Sequence, residues 1–174
     1  MSLEAKVMNV IPSEVLSLFS AGFIDIQLKK EGPFAAWTSW DKDNNKFTVC
    51  ITEKVVTLLP DNLLAILLEH ELNHIMGGHF KINCHEADAL IAADVEANWW
   101  LKQEQTVLDK IIQIFLEDEL ATSVNPHEIL KEIGLNPNIP YRAEIIHELL
   151  HKLAESIGQP NKLCGGIEST DSPR

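Results

Sequence analysis

His70-Glu71-Leu72-Asn73-His74 sets two imidazoles four residues apart, with a carboxylate beside the first, at the end of an apolar stretch that begins at Leu63. On an α-helix, residues four apart share a face one turn above one another, so both rings can reach one metal ion. Glu71 is turned by about 100° around the same axis and flanks that ion instead of ligating it. A zinc hydrolase needs two neutral nitrogen ligands and a carboxylate able to take a proton from water. Zn2+ is therefore the expected cofactor, His70 and His74 the expected ligands and Glu71 the expected catalytic base. With seven His and seventeen Glu in 174 residues, chance supplies about 0.03 copies of the pattern, which makes one match informative.

A second copy exists, His147-Glu148-Leu149-Leu150-His151. Ile145, Ile146, Leu149, Leu150, Leu153 and Ile157 around it form an ordinary amphipathic stripe. Only Glu155 and a tail containing Gly, Ser and Pro follow, a poor source of a rigid third ligand. Its histidines are expected to be residues at a helix surface. The first copy is preceded by Leu63, Leu64, Ile66, Leu67 and Leu68, so its helix is expected to be buried, where histidines need partners.

A catalytic zinc takes three protein ligands and keeps one position for water. His79, five residues beyond His74, and Asp94, twenty beyond it, compete for the third place. In the metzincin arrangement the third His stands six residues on, one more than here. Asp94 resembles the gluzincin arrangement, of which thermolysin is the familiar example, where a carboxylate, usually Glu, comes from the following helix. Asp94 is the preferred candidate because an acid in Leu-Ile-Ala-Ala-Asp-Val-Glu-Ala calls for a cation. Asn98, one turn further, is suited to bonding the far nitrogen of a zinc-bound His. Glu86 and Asp88 are weaker candidates, read as acids near the positive end of a helix dipole.

Taken together, these stretches resemble the bacterial metallopeptidase-like domain that often precedes a von Willebrand A-like domain. The resemblance rests on His70, Glu71, His74 and His79; on Ala92, Ala93, Asp94 and Asn98; and on Pro140, Ala143, Glu144 and Ile145. It spans roughly residues 34 to 153. It implies a zincin-like fold, zinc chemistry on a peptide or protein substrate, and no metal role for the helix of the second motif. Nothing in this sequence follows as a von Willebrand-like domain, so a protein partner in its place is expected. The chemistry implied is peptide-bond hydrolysis. Zinc on His70, His74 and Asp94 would lower the pKa of water towards about 7, with Glu71 relaying its proton to the leaving amine. His79 and Tyr141 are candidate oxyanion donors. The runner-up is a non-catalytic, zinc-stabilised interaction module in a larger assembly.

The elements that must position these groups are legible from periodicity. A short helix is expected over 12–20 and a half-buried strand over 23–30. Strands 33–40 and 46–52 around Asp41-Lys42-Asp43-Asn44-Asn45 form a hairpin, and either could offer an edge to an extended peptide. Helices follow over 61–76, 84–101 and 105–120. Asn125-Pro126 opens a short one closed by Gly134, and the helix of the second motif runs from Pro140 to Gly158. The expectation is an α+β domain over 1–163, a small antiparallel sheet on a mainly helical body, with 164–174 disordered.

Composition bounds the remainder. A hydrophobic share of 45% with 23% charged residues is that of a globular protein with a real core. The net charge of −12 argues against nucleic-acid binding. No apolar run reaches membrane-spanning length, and the N-terminus lacks a secretory layout. Three widely spaced cysteines, Cys50, Cys84 and Cys164, suggest no disulfide framework and fit a cytoplasmic protein. Zinc through Cys84 and His85 is a weak alternative.

Overall fold

The computed structural model describes residues 1–82, 86–157 and 167–169. Two helices open the chain, α1 (Leu3–Val10) and α2 (Ser13–Ser20). Ser2 caps α1 by accepting the Ala5 amide at 3.1 Å. Strands β1 (Ile24–Lys29), β2 (Ala36–Asp41) and β3 (Lys46–Thr52) follow, then α3 (Glu53–Leu58), capped by Thr52. Next come α4 (Asp61–Met76), a 3₁₀ turn at His79–Lys81, and α5 (Ala87–Leu101). The chain continues through α6 (Gln105–Leu116), α7 (Pro126–Glu132), α8 (Ala143–Ile157) and a short β4 (Ile167–Ser169). The architecture is mixed α+β and mostly helical, as the sequence suggests. No described helix is long and apolar enough to cross a membrane.

The sheet departs from expectation. β2 and β3 form the anticipated antiparallel hairpin, with Ala36 opposite Ile51 and Asp41 opposite Lys46. Its turn is built by the Asp41 carboxylate, which accepts the amides of Asp43 and Asn44, and by Asn45 at φ 49°. β1, however, lies alongside β3 in parallel, Ile24 opposite Phe47, giving the order β1-β3-β2-β4. The sheet is mixed and not antiparallel throughout. Alternation along a strand determines which face is buried, not which strand lies next to it. β3 is interior, so 46–52 cannot present an edge to a peptide, and β4 covers β2 at Thr38–Trp40.

Several boundaries shift for local reasons. α6 stops at Leu116 because Glu117 turns left-handed at φ 53°, cutting short the helix expected to reach 120. α5 begins at Ala87 and not at 84. α1 and α3 were not anticipated. Of the tail expected to be disordered, only Ile167–Ser169 is described, as β4. Cys84, His85 and Cys164 lie outside the described residues, and the Cys84–His85 reading with them. Cys50 is buried on β3.

Two apolar clusters make the interior. One joins the sheet to α1–α4, with Ile51, Val55, Val56, Leu64 and Leu68 almost wholly excluded from solvent. The other joins α5, α7 and α8 through Ile91, Ala92, Val95, Leu130, Ala143 and Ile146. α4 belongs to the first and α5 to the second. Where the two helices meet, Asn73 Nδ2 donates to the Ala97 carbonyl at 3.0 Å. The candidate site lies on this seam.

Candidate metal centre

α4 ends as its glycines dictate. Gly77 terminates the helix and Gly78 takes the left-handed conformation at φ 65°, which turns the chain back and brings His79 under His74. A Cβ on Gly77 would run into the His79 imidazole, so this close approach requires glycine. His74, His79 and Glu71 are among the most deeply buried side chains of the protein.

Three acceptor atoms converge between α4 and α5. His70 Nε2 and His74 Nε2 are 2.9 Å apart. Asp94 Oδ1 lies 3.2 Å from His74 Nε2 and 3.5 Å from His70 Nε2. It has no hydrogen-bond partner of proper geometry among the described residues, though it is buried. Ligands on a tetrahedral zinc with bonds of ~2.0–2.1 Å stand roughly 3.3 Å from one another. The observed edges of 2.9, 3.2 and 3.5 Å lie around that value.

The hydrogen bonds behind the rings determine where their protons sit. Asn98 Nδ2 donates to the Val124 carbonyl at 2.9 Å, which turns Oδ1 toward His70 Nδ1 at 2.7 Å. His70 therefore carries a proton on Nδ1. His79 Nε2 donates to Glu96 Oε2 at 2.5 Å. The His79 Nδ1 then accepts from His74 Nδ1–H, 2.8 Å away. Both Nε2 atoms are left as lone pairs, facing each other and a carboxylate oxygen. Three acceptors with no donor among them repel unless a cation sits there. A proton shared among the trio relieves the same repulsion. Burial opposes a charge on His70, but the Asp94 carboxylate beside it, with Glu71 and Asn98, outweighs it and lifts His70 to about 9. Burial and the His70 charge push His74 down to about 4. For Asp94, burial acts upward, yet the adjacent His70 and His74 hold it at about 2.

Glu71 flanks this triangle, with a carboxylate oxygen within 4.8 Å of ring nitrogens of His70 and His74. Thr38 Oγ1, from β2, donates to Glu71 Oε2 at 2.8 Å. Burial pushes the Glu71 carboxyl up to about 7, against the His70 charge and the Thr38 bond. His70, Glu71, Asp94 and Asn98 also form the polar floor of a cavity of about 180 Å³. Its walls are apolar, from Leu67, Leu101, Leu108, Ile111 and Phe115 among others.

The two contenders for the third place take different positions. Asp94 faces the Nε2 atoms, whereas His79 bonds the far nitrogen of His74. Behind His79, Glu96 Oε2 also accepts the Ala143 amide at 3.0 Å, and Arg142 Nη1 lies 3.4 Å from Glu96 Oε1. Burial works to raise the Glu96 carboxyl, but His79, Ala143 and Arg142 hold it below the usual range. Arg142 Nη2 donates in turn to the Gly77 carbonyl at 2.7 Å, tying the start of α8 to the end of α4. Thr38, Glu96 and Arg142 were not singled out from sequence. The one available signal was Glu96, a second acid in an apolar helix, two residues past Asp94. Neither His79 nor Tyr141 lines the cavity; the Tyr141 hydroxyl accepts the Asn136 amide at 3.3 Å. Compared with known proteins, the chain matches no protein-family model and no curated sequence.

Proposed function

We propose that this chain is a zinc-dependent peptidase. The observation that carries the reading is the convergence of the two imidazole lone pairs and an unpaired carboxylate oxygen at zinc-like separations. His70, His74 and Asp94 would hold the ion, which supplies a Lewis acid that makes water more acidic and polarises a carbonyl. Glu71 takes a proton from the attacking water and returns it to the leaving amine. Thr38 keeps the Glu71 carboxylate aimed by donating to its Oε2. Asn98 and the His79–Glu96 pair hold the ligand rings in the tautomer that offers Nε2.

The apolar cavity opening beside Glu71 and Asp94 favours catalysis over a purely stabilising ion, because it leaves room for a substrate side chain next to the base. Its walls suit a large apolar residue next to the scissile bond. Glu71→Gln should retain zinc and lose hydrolysis of a peptide library by about 100-fold or more. Full turnover in that variant would overturn the reading.

A further inference from the structure

The second histidine pair faces carboxylates that sequence spacing alone did not bring to it. α8 carries His147 and His151 one turn apart, and the start of α5 presents Glu86 and Asp88. His147 Nε2 is 2.8 Å from Glu86 Oε2 and 3.7 Å from Asp88 Oδ1. His151 Nδ1 lies 3.0 Å from Asp88 Oδ2, and its Nε2 lies 3.3 Å from Glu155 Oε1. The ligand atoms of Glu86, Asp88 and His147 all fall within 4.8 Å of one another, on half-buried residues that an ion can reach. One N–H can serve one carboxylate. Here His147 serves Glu86 and His151 serves Asp88, yet the Asp88 Oδ1 also comes within 3.7 Å of His147 Nε2, and carboxylates gathered so closely are stabilised by a cation of more than one charge between them.

We propose that Glu86, Asp88 and His147 form a second divalent metal site, separate from the one on α4, with His151 orienting the Asp88 carboxylate. One imidazole with two carboxylates suits zinc and its first-row neighbours better than the all-oxygen cations calcium and magnesium. Two carboxylates and one neutral ring also balance two positive charges. The ion clamps the start of α5 to α8. Those helices bear Asp94 and Glu96 on one side and Ala143, which donates to Glu96, on the other. Occupancy thus braces the framework of the inner centre without touching it.

The test is zinc stoichiometry in chelator-stripped wild type, Asp88→Asn and His147→Gln, titrated with Zn2+ alone against a chromogenic chelator. Circular dichroism melts confirm that each variant is folded. Two equivalents in the wild type and one in either variant support the outer site. One equivalent falling to none also supports it, while counting against the inner centre. Equal stoichiometry in wild type and both variants overturns the outer site, whatever the inner one does. His151→Ala should keep the equivalent but bind it about tenfold more weakly.

Discussion

Removing the Glu96 carboxylate should cost the protein stability and metal affinity together. Glu96 is 4% exposed, and its Oε2 accepts both His79 Nε2–H and the Ala143 amide. In Glu96→Ala both donors are orphaned, and His79 is wholly buried. Each unsatisfied donor costs about 1–3 kcal/mol, so the pair costs about 4 kcal/mol. For a domain of this size that lowers the melting temperature by roughly 12 °C. His79, no longer obliged to keep its proton on Nε2, can move it to Nδ1, which exchanges the orphaned donor for an orphaned buried acceptor at similar cost. His74 must then carry its own proton on Nε2, where the lone pair is needed. Zinc affinity should fall by about 10- to 100-fold. Glu96→Gln keeps an acceptor oxygen for both donors and gives up mainly the pairing with the largely exposed Arg142, a loss of about 1 kcal/mol or less. Thermal melts of the stripped proteins and chelator competition with zinc read the two effects separately. The relay is refuted if Glu96→Ala binds zinc as tightly as the wild type, or if Ala and Gln weaken it equally.

Two further outcomes follow from the same geometry. Gly77→Ala forces a methyl against the His79 ring, and should destabilise by about 1–3 kcal/mol in a thermal melt; an unchanged melting temperature would contradict the close approach. Because the Glu96 pKa is lowered on folding, its ionised form contributes stability above the ordinary value of 4.5, and that contribution is lost as pH falls below it. The melting temperatures of wild type and Glu96→Gln should therefore differ most at neutral pH and converge on acidification. A gap that widens toward low pH would reverse the sign and refute the assignment.

The part of this site visible in the sequence is the part written at fixed helical spacing. His70 and His74 are four apart in an apolar run that ends at Gly77-Gly78, and α4 occupies 61–76 as that pattern demands. Asp94 and Asn98 are also four apart, and the structure brings both to the histidines because α5 packs on α4. What spacing could not show is what lies across a helix–helix contact. His79 was weighed as a ligand from its distance along the chain. Its bond to His74 depends instead on the left-handed Gly78 and on Glu96 waiting behind it. Thr38 belongs to a strand whose partners in the sheet set its reach, and the parallel neighbour of β3 left no local mark. The carboxylates facing His147 were read as helix-dipole acids for the same reason: the packing of α5 on α8 is a tertiary fact.

The claim on which this account turns is that a metal ion sits among His70 Nε2, His74 Nε2 and Asp94 Oδ1. Equilibrium zinc binding to Asp88→Asn, in which the outer carboxylate is neutral, isolates that centre. One equivalent is predicted there, and Asp94→Asn in the same background should bind it about 100-fold more weakly or worse. An undiminished affinity in the double variant would contradict the account, because the carboxylate oxygen would then contribute nothing to the grip.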